Sequence, residues 1–304
     1  MLTEIKEMAV KAQGFLKESG DFALPIRVPY IGMGSSYFAP LAFKYMGIDI
    51  YPEIASEYYN YVHHSKNNSN AVLLSQSGRS TEVLWCRSLF EKYVAISNDT
   101  ESPLCRFSAA DKIIPLLAGE EKYSSSKTYI NTLLALFKGF GMDVSDAVQK
   151  MVEKENDYEN KGKEIAEEIF RLWQAGKVNG LFVTGSGPNI ATAKQAALIL
   201  SESTKLNFHG LPMAQYDHGP KETARDSVVI QIISKGKSYD RSKKLTATIE
   251  AAGAHVFLVE EPEVLENESI LNNIVPFNYM AYYLSEKLGI QETFAVGGKV
   301  TEVG

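Results

Sequence analysis

The stretch NAVLLSQSGRSTEVLW, Asn70–Trp85, decides the fold class of this chain. An apolar run typical of a buried strand ends at Leu74, and a second apolar segment follows Thr81. Between them lie serines, a threonine, a glycine and an arginine. A polar turn between a buried strand and a helix presents backbone amides and hydroxyls to an anion. The stretch therefore predicts a strand–turn–helix unit of an α/β sheet, with a cradle for an anion at the strand end.

The same alternation of apolar runs, turns and helix-like segments occurs in both halves of the chain. The expected strands are Val28–Ile31, Ala71–Leu74, Tyr93–Ile96 and Ile113–Leu117 in the first half, and Leu181–Thr184, Val228–Ile233 and Val256–Val259 in the second. Such alternation favours a doubly wound parallel sheet with crossover helices, in three αβα layers. Because both halves contain a strand that ends in Gly-x-Gly, we expect an internal duplication with domains at 1–155 and 156–304.

Composition excludes several classes of protein. The chain has 304 residues, 45% of them hydrophobic, and a net charge of −6, so a nucleic-acid or anionic-membrane partner is a poor fit. Only Cys86 and Cys105 occur, which gives neither a disulfide framework nor a CxxC metal motif. No apolar run reaches the roughly 18 residues of a membrane span. We expect a cytoplasmic protein without a metal or other cofactor.

Nucleotide motifs fit this sequence poorly. The third glycine of a GxGxxG fingerprint is replaced by Tyr37 in the first half and by Ile190 in the second. The segment SKGKS ends like a Walker A loop, but the glycine required upstream is Gln231. The anion is therefore not expected to belong to a nucleotide.

Three polar turns of the first half each precede a helix. They are Gly34, Ser35 and Ser36, then Ser75–Thr81, and then Lys122–Thr128. Carboxyl ends of parallel strands meet at one edge of a sheet, where ligands of such folds bind. A single turn of this kind is usually an ordinary helix cap. Three in one half favour a ligand.

These motifs resemble a known family. SQSGRST, GMGSSY and EKYSSSKTY in the first half, and GSGPNIATAKQAALILSESTKLNFHGLPMAQYDHGP in the second, are similar to the tandem sugar-isomerase (SIS) domains of glucosamine-6-phosphate synthases. The resemblance implies two flavodoxin-like SIS domains and a sugar-phosphate substrate, without the glutaminase domain of the synthase. It implies phosphate contacts at Ser36, Ser75, Gln76, Ser77 and Ser80, with Gly34, Ser35, Ser125 and Lys127 nearby and Glu120 as the acidic residue before the third turn.

Glu202 is the candidate general base. It ends the apolar helix pattern Asn189–Lys205, and burial there would raise the pKa of its carboxyl group. A solvated charge at a helix end is the alternative, and the resemblance favours the base. His218 follows Glu202 by 16 positions, which is the interval found in the family. The resemblance implies that His218 is the acid or base of ring opening and is contributed across a homodimer interface. The alternative is that His218, next to Gly-Pro, is an ordinary turn residue.

The remaining candidates are weaker. His209 matches no motif position, and His63–His64 are expected in an exposed loop. The resemblance also implies a lysine in the C-terminal tail, near the reacting carbonyl. When Val300–Thr301 are aligned to the family, that lysine falls on Gly298, and Lys299 is one position late. Lys299 is kept as the candidate catalytic lysine, and the alternative is that the chemistry uses Glu202 and His218 alone.

The resemblance implies a phosphosugar aldose–ketose isomerase or deaminase acting on glucosamine 6-phosphate or fructose 6-phosphate. One alternative is an isomerase or fructosamine-6-phosphate deglycase with another substrate. Another is a non-catalytic sensor of sugar phosphates.

Overall fold

The computed structural model describes residues 1–62 and 69–299. Its strands are β1 (Pro29–Gly32), β2 (Tyr51–Ile54), β3 (Asn70–Leu74), β4 (Lys92–Ser97), β5 (Ala110–Pro115), β6 (Leu181–Gly185), β7 (Phe208–Pro212), β8 (Val228–Ile232) and β9 (His255–Val259). Its α-helices are α1 (Leu2–Lys6), α2 (Met8–Glu18), α3 (Ser35–Tyr45), α4 (Ala55–Glu57), α5 (Thr81–Trp85), α6 (Lys127–Gly139), α7 (Ser145–Glu153), α8 (Glu155–Gln174), α9 (Asn189–Thr204), α10 (Met213–Asp217), α11 (Tyr239–Ala251), α12 (Ser269–Asn273) and α13 (Val275–Leu288). Short 3₁₀ turns lie at Cys86–Leu89 and Pro220–Thr223, and a π-helical turn lies at Tyr58–Val62.

The strands form two parallel sheets. The first has the order β2-β1-β3-β4-β5 and the second the order β7-β6-β8-β9, with every pair of neighbouring strands parallel. This confirms the predicted doubly wound α/β architecture. Because the strands are parallel, the turns that follow them lie at one edge of each sheet.

Two strands were not expected from the sequence. Both β2 and β7 pair along one side only, at the ends of their sheets. Neither contains an apolar run: β2 includes Pro52, and β7 includes Gly210 and Pro212. Proline and glycine are tolerated in edge strands, where packing demands less of the side chains.

The first sheet has helices on both faces. On one face Ile31, Leu73 and Ala95 pack against residues of α4, α5 and the following turn, such as Val83. On the other face α3 packs on β1 and β2, and α6 packs against α3, with Phe43 and Phe137 in edge-to-face contact at 4.7 Å. These layers leave the polar turns at the carboxyl edge.

The second sheet is layered in the same way. One face packs on α9, which lies against α13, and α13 in turn packs along α8. The other face is covered by α10 and α11, where Met213 and Leu245 pack against Val229.

The chain divides into two compact units. The first comprises Lys6–Ser145 with the described tail Phe294–Lys299, and the second comprises Met1–Ile5 with Asp146–Thr293. The expected boundary at residue 155 lies at the start of α8. Within the described residues, no helix is long and apolar enough to span a membrane.

Candidate functional site

The first turn of the first unit follows β1. Gly34 has φ +50°, and Ser35 and Ser36 begin α3, half-buried. A Cβ at Gly32 would lie 2.6 Å from the Ser36 carbonyl, so glycine lets the helix approach the strand end closely. This turn carries serine hydroxyls to the carboxyl edge of the sheet.

The second turn, Ser75–Thr81, is held by its first serine. Ser75 is buried, and its hydroxyl accepts a hydrogen bond from the Gly78 amide at 3.1 Å. The same oxygen lies 3.1 Å from the hydroxyl of Ser80. The Ser77 hydroxyl accepts from the Arg79 amide at 3.2 Å. These bonds fold the hydroxyl-bearing turn back on itself.

The segment that follows β4 is hydrogen-bonded to the turn. The Asn98 amide donates to the Gln76 carbonyl at 3.0 Å, and the Leu104 amide donates to the Gly78 carbonyl at 3.1 Å. Gly78 has φ +64°, and a Cβ there would lie 1.9 Å from the Ser102 hydroxyl oxygen. Glycine is therefore required at this position for both backbone conformation and space.

The turn keeps hydrogen-bond donors for a ligand. Across residues 1–62 and 69–299, the amides of Gln76, Ser77 and Ser80 donate to no protein group. Arg79, next to them, pairs with Asp99 at 2.8 Å, which balances its charge. These three amides, with serine hydroxyls beside them, can bind an oxyanion without a bare cation.

The third turn is already occupied by a carboxylate. Glu121 accepts from the Ser126 amide and hydroxyl, both at 3.0 Å, and from the Thr128 amide and hydroxyl at 3.2 and 2.5 Å. Ser125 lies 2.7 Å from the Thr128 hydroxyl. The buried Glu121 side chain therefore caps α6.

Two sequence candidates beside this turn face elsewhere. Glu120 is exposed and pairs with Lys122 at 3.4 Å. Lys127 is buried in an ion pair with Glu7. The acidic residue of the turn is thus Glu121, which sequence reasoning missed in favour of its neighbour.

Lys299 lies on this third turn. Its ammonium donates to the carbonyls of Glu121 and Tyr123 at 2.8 and 2.6 Å, and lies 3.3 Å from Oε2 of Glu121. The structure therefore associates the candidate tail lysine with the first unit. The predicted alignment of Val300–Thr301 lies outside the described residues.

A further titratable pair lies at the end of β2. Burial raises the pKa of Glu53, and burial together with the Glu53 charge raises the pKa of Tyr37 in α3. Glu53 therefore holds its proton to a higher pH than a solvated glutamate does.

The carboxyl edge of the second sheet is filled by its own side chains. The buried Asn189 amide nitrogen donates to the hydroxyls of Ser234 and Ser269, both at 3.0 Å, and Asn273 donates to Asn189 and Ser234 at 3.3 and 3.2 Å. This network ties the side chains at the start of α9 to those of Ser234, Ser269 and Asn273.

Glu202 lies in the last turn of α9 and is half-buried. Lys205, in the left-handed conformation at φ +62°, ends the helix and donates to the Glu202 carbonyl at 2.6 Å. The Phe208 amide donates to the Ser201 hydroxyl at 3.1 Å, which ties the helix end to β7. The helix end that carries Glu202 is thus fixed in place.

His218 caps the end of α10, and its side chain is exposed. Its amide donates to the Ala214 carbonyl at 3.1 Å. Hydrogen bonds from Lys221 at 3.0 Å and Arg241 at 2.8 Å lower the pKa of the preceding Asp217. These pairs fix the backbone that carries the imidazole.

The structure thus places the predicted phosphate-binding residues and Lys299 in the first unit, and Glu202 and His218 in the second. His209 lies in β7, and its ring is tilted by 33° against that of Phe182, with 5.7 Å between the ring centres. His63–His64 lie outside the described residues. Across the described ranges, no group of three or more His, Cys, Asp or Glu side chains could hold a metal ion.

Sequence comparison finds related proteins. No protein-family model matches the chain. Glutamine–fructose-6-phosphate aminotransferase (isomerizing) of Sulfolobus acidocaldarius is 25% identical over 297 residues, which covers 87% of this chain and 48% of that protein. The Pyrococcus horikoshii protein of the same name is 27% identical and covers 85% and 48%. The chain spans about half the length of these relatives.

Structure comparison shows the same architecture in solved proteins. A glucosamine-6-phosphate deaminase from Thermotoga maritima superposes with a TM-score of 0.78 at 21% identity, covering 96% of this chain and 95% of that one. The C-terminal domain of a glucosamine-fructose-6-phosphate aminotransferase from Francisella tularensis gives 0.76 at 18% identity, covering 95% and 96%. The chain therefore has the tandem sugar-isomerase fold, and the comparisons confirm its resemblance to the isomerase half of glutamine–fructose-6-phosphate aminotransferase.

Proposed function

We propose that the protein is a phosphosugar aldose–ketose isomerase or deaminase acting on a hexose 6-phosphate. The observation that carries the proposal is the Ser75–Thr81 turn, whose hydroxyls and free amides suit a phosphate ester. The relatives and structural neighbours named above act, by their names, on glucosamine 6-phosphate or fructose 6-phosphate. This supports the same pair of substrates here.

The reaction requires a proton shift and no redox change. A base removes the C2 proton of open-chain glucosamine 6-phosphate, and the resulting enamine takes a proton at C1. Water then hydrolyses the imine at C2, which gives fructose 6-phosphate and ammonia. Isomerisation of a sugar without the amine follows the same two proton transfers. General acid–base groups are sufficient for each step.

Glu202 is proposed as the base and His218 as the acid or base of ring opening. The fixed end of α9 supports the first assignment, because a positioned carboxylate loses little freedom on reaction. The exposure of His218 supports its use by a second copy of the chain in a homodimer. Ser36, Ser75, Gln76, Ser77 and Ser80 are proposed to bind the phosphate.

A non-catalytic sensor of sugar phosphates is the second candidate. It is favoured by one observation: the ammonium of Lys299 is engaged by three acceptors. A sensor would bind the sugar phosphate on the same turn without moving a proton.

Deuterium exchange distinguishes the two. Fructose 6-phosphate is incubated with the protein in heavy water, with and without ammonia, and its C1 hydrogens are followed by NMR. An isomerase exchanges one C1 hydrogen without ammonia, whereas a deaminase exchanges it when ammonia is present to form the imine at C2. Binding measured by calorimetry without any exchange would support the sensor and contradict the enzyme.

A further inference from the structure

Lys299 and Glu121 form a contact that the proposed proton shift does not use. We propose that Glu121 is a positioning residue that anchors Lys299, and with it the C-terminal segment, on the third turn of the first unit. Lys299 serves as this anchor and not as a reacting amine. The kinetic part of this inference rests on the proposed function, and the structural part does not.

The ammonium of Lys299 is saturated. Three acceptors surround it: the Glu121 carbonyl, the Tyr123 carbonyl and the Glu121 carboxylate, at 2.8, 2.6 and 3.3 Å. An ammonium has three N–H donors, and this one has an acceptor for each. An amine attacks a carbonyl through its lone pair, which an ammonium in this arrangement lacks. The geometry therefore favours a bound cation.

The anchor itself is rigid. The Glu121 side chain is fully buried, and the Lys299 side chain is 20% exposed. Four hydrogen bonds from Ser126 and Thr128 fix the carboxylate at the start of α6. The helix dipole favours a negative charge at that end. A carboxylate fixed in this way presents Oε2 to the tail in one geometry.

The contact links two parts of the chain that are distant in sequence. Glu121 belongs to the turn that follows β5, whereas Lys299 lies 178 residues further along. Docking of the tail and the shape of the third turn are thus coupled through one carboxylate. A change at Glu121 should release the tail even where the phosphate-binding turn at Ser75 is intact.

Trypsin tests the anchor without any assay of activity. The protease must take the Lys299 side chain into its own pocket to cut after it, so a bound ammonium protects the bond. Release of the peptide VTEVG, residues 300–304, is followed by mass spectrometry. We expect cleavage at least tenfold faster in Glu121→Gln than in the wild type. The matched control is Glu120→Gln, which changes the adjacent exposed carboxylate and should cleave at the wild-type rate.

Equal cleavage rates in all three proteins would overturn the anchor. Thermal unfolding checks that each variant is folded. If Glu121→Gln does not fold, Lys299→Arg replaces it in the kinetic test below, because arginine keeps the cation and cannot act as a reacting amine.

A double-mutant cycle separates anchoring from catalysis. Lys299→Met and Glu121→Gln should each slow deuterium exchange by a similar factor of about ten, and the double variant should be no slower than either, since both remove one contact. Lys299→Arg should keep at least about a third of the wild-type rate. A loss in Lys299→Met or Lys299→Arg that is a hundredfold larger than in Glu121→Gln would overturn the proposal. If neither the wild type nor any variant exchanges deuterium, the proposed function is wrong. Trypsin cleavage still tests the anchor in that case.

Discussion

Ser75 and Ser80 close the turn Ser75–Thr81 on each other, with their hydroxyl oxygens 3.1 Å apart. Ser75 is buried and also binds the Gly78 amide, whereas Ser80 is half-buried. Ser75 therefore shapes the turn, and Ser80 keeps part of its surface exposed, where we propose that the phosphate binds. A turn already folded in the unliganded chain loses little conformational freedom on binding.

Removal of two hydroxyls from this turn should weaken substrate binding. In Ser77→Ala with Ser80→Ala, two hydrogen bonds to a charged ester are lost, each worth about 1.5–3 kcal/mol. We expect the dissociation constant of fructose 6-phosphate, measured by calorimetry, to rise at least about 100-fold. Ser238→Ala, in the turn before α11 of the second unit, is the matched control and should bind normally. Unchanged binding in the double variant would show that the phosphate binds elsewhere.

Gly78 should be irreplaceable for a steric reason. An alanine at its φ of +64° costs about 1–2 kcal/mol for the left-handed conformation alone. Its Cβ would also lie 1.9 Å from the Ser102 hydroxyl, and such overpacking adds about 1–3 kcal/mol. Gly141→Ala is the control, because Gly141 has φ +70° and nothing within 4 Å of the added Cβ.

Chemical denaturation compares the two glycine variants. We expect Gly78→Ala to lose clearly more free energy of unfolding than Gly141→Ala and to lose phosphosugar binding as well. Equal losses would mean that Ser102 moves aside freely and does not support the turn.

Glu202→Gln should separate chemistry from binding. The amide is nearly the size of the carboxylate but cannot accept the proton, so exchange at C1 of fructose 6-phosphate should fall at least about 100-fold, within the range of general acid–base catalysis. The dissociation constant should change by less than about threefold, because the phosphate is bound by other residues. Exchange at the wild-type rate would remove Glu202 from the mechanism.

Hydrophobic patterning predicted the interior strands well. β3, β4, β6 and β8 each begin or end within two residues of the expected apolar run, since these strands are enclosed on both sides by neighbours and on both faces by helices. The edge strands β2 and β7 gave no such signal, because proline and glycine interrupt their short sequences. An edge position alone does not hide a strand, since β5 and β9 also lie at the ends of their sheets and were expected from their apolar runs.

The site was predictable where it is local in sequence. The turn Ser75–Thr81 follows directly from the strand before it, and its hydroxyls needed no tertiary information. The path of the chain between β5 and α6 decides whether Glu120 or Glu121 points inward. Hydrophobic periodicity in the sequence does not predict this path. The contact of Glu121 with Lys299 joins residues 178 positions apart, so only the fold brings them together.

The ion pairs of Asp217 should make the stability of the fold depend on pH. Hydrogen bonds from Lys221 and then Arg241 lower its pKa from the ordinary value of 3.8. A carboxyl group with a lowered pKa stabilises the fold above its unfolded pKa, and this contribution is lost as the pH falls through the folded pKa. Asp217→Asn removes both ion pairs, so at pH 6–8 the melting temperature should fall by about 1–3 °C, as for partly exposed pairs. The difference from the wild type should shrink steadily below pH 4. Asp111→Asn, an exposed carboxylate outside the ion pairs of the described residues, should show no such difference. A loss of stability in Asp217→Asn that does not change with pH would contradict this prediction. It would mean that the packing of α10, and not the ion pairs of Asp217, holds the backbone of His218 in place.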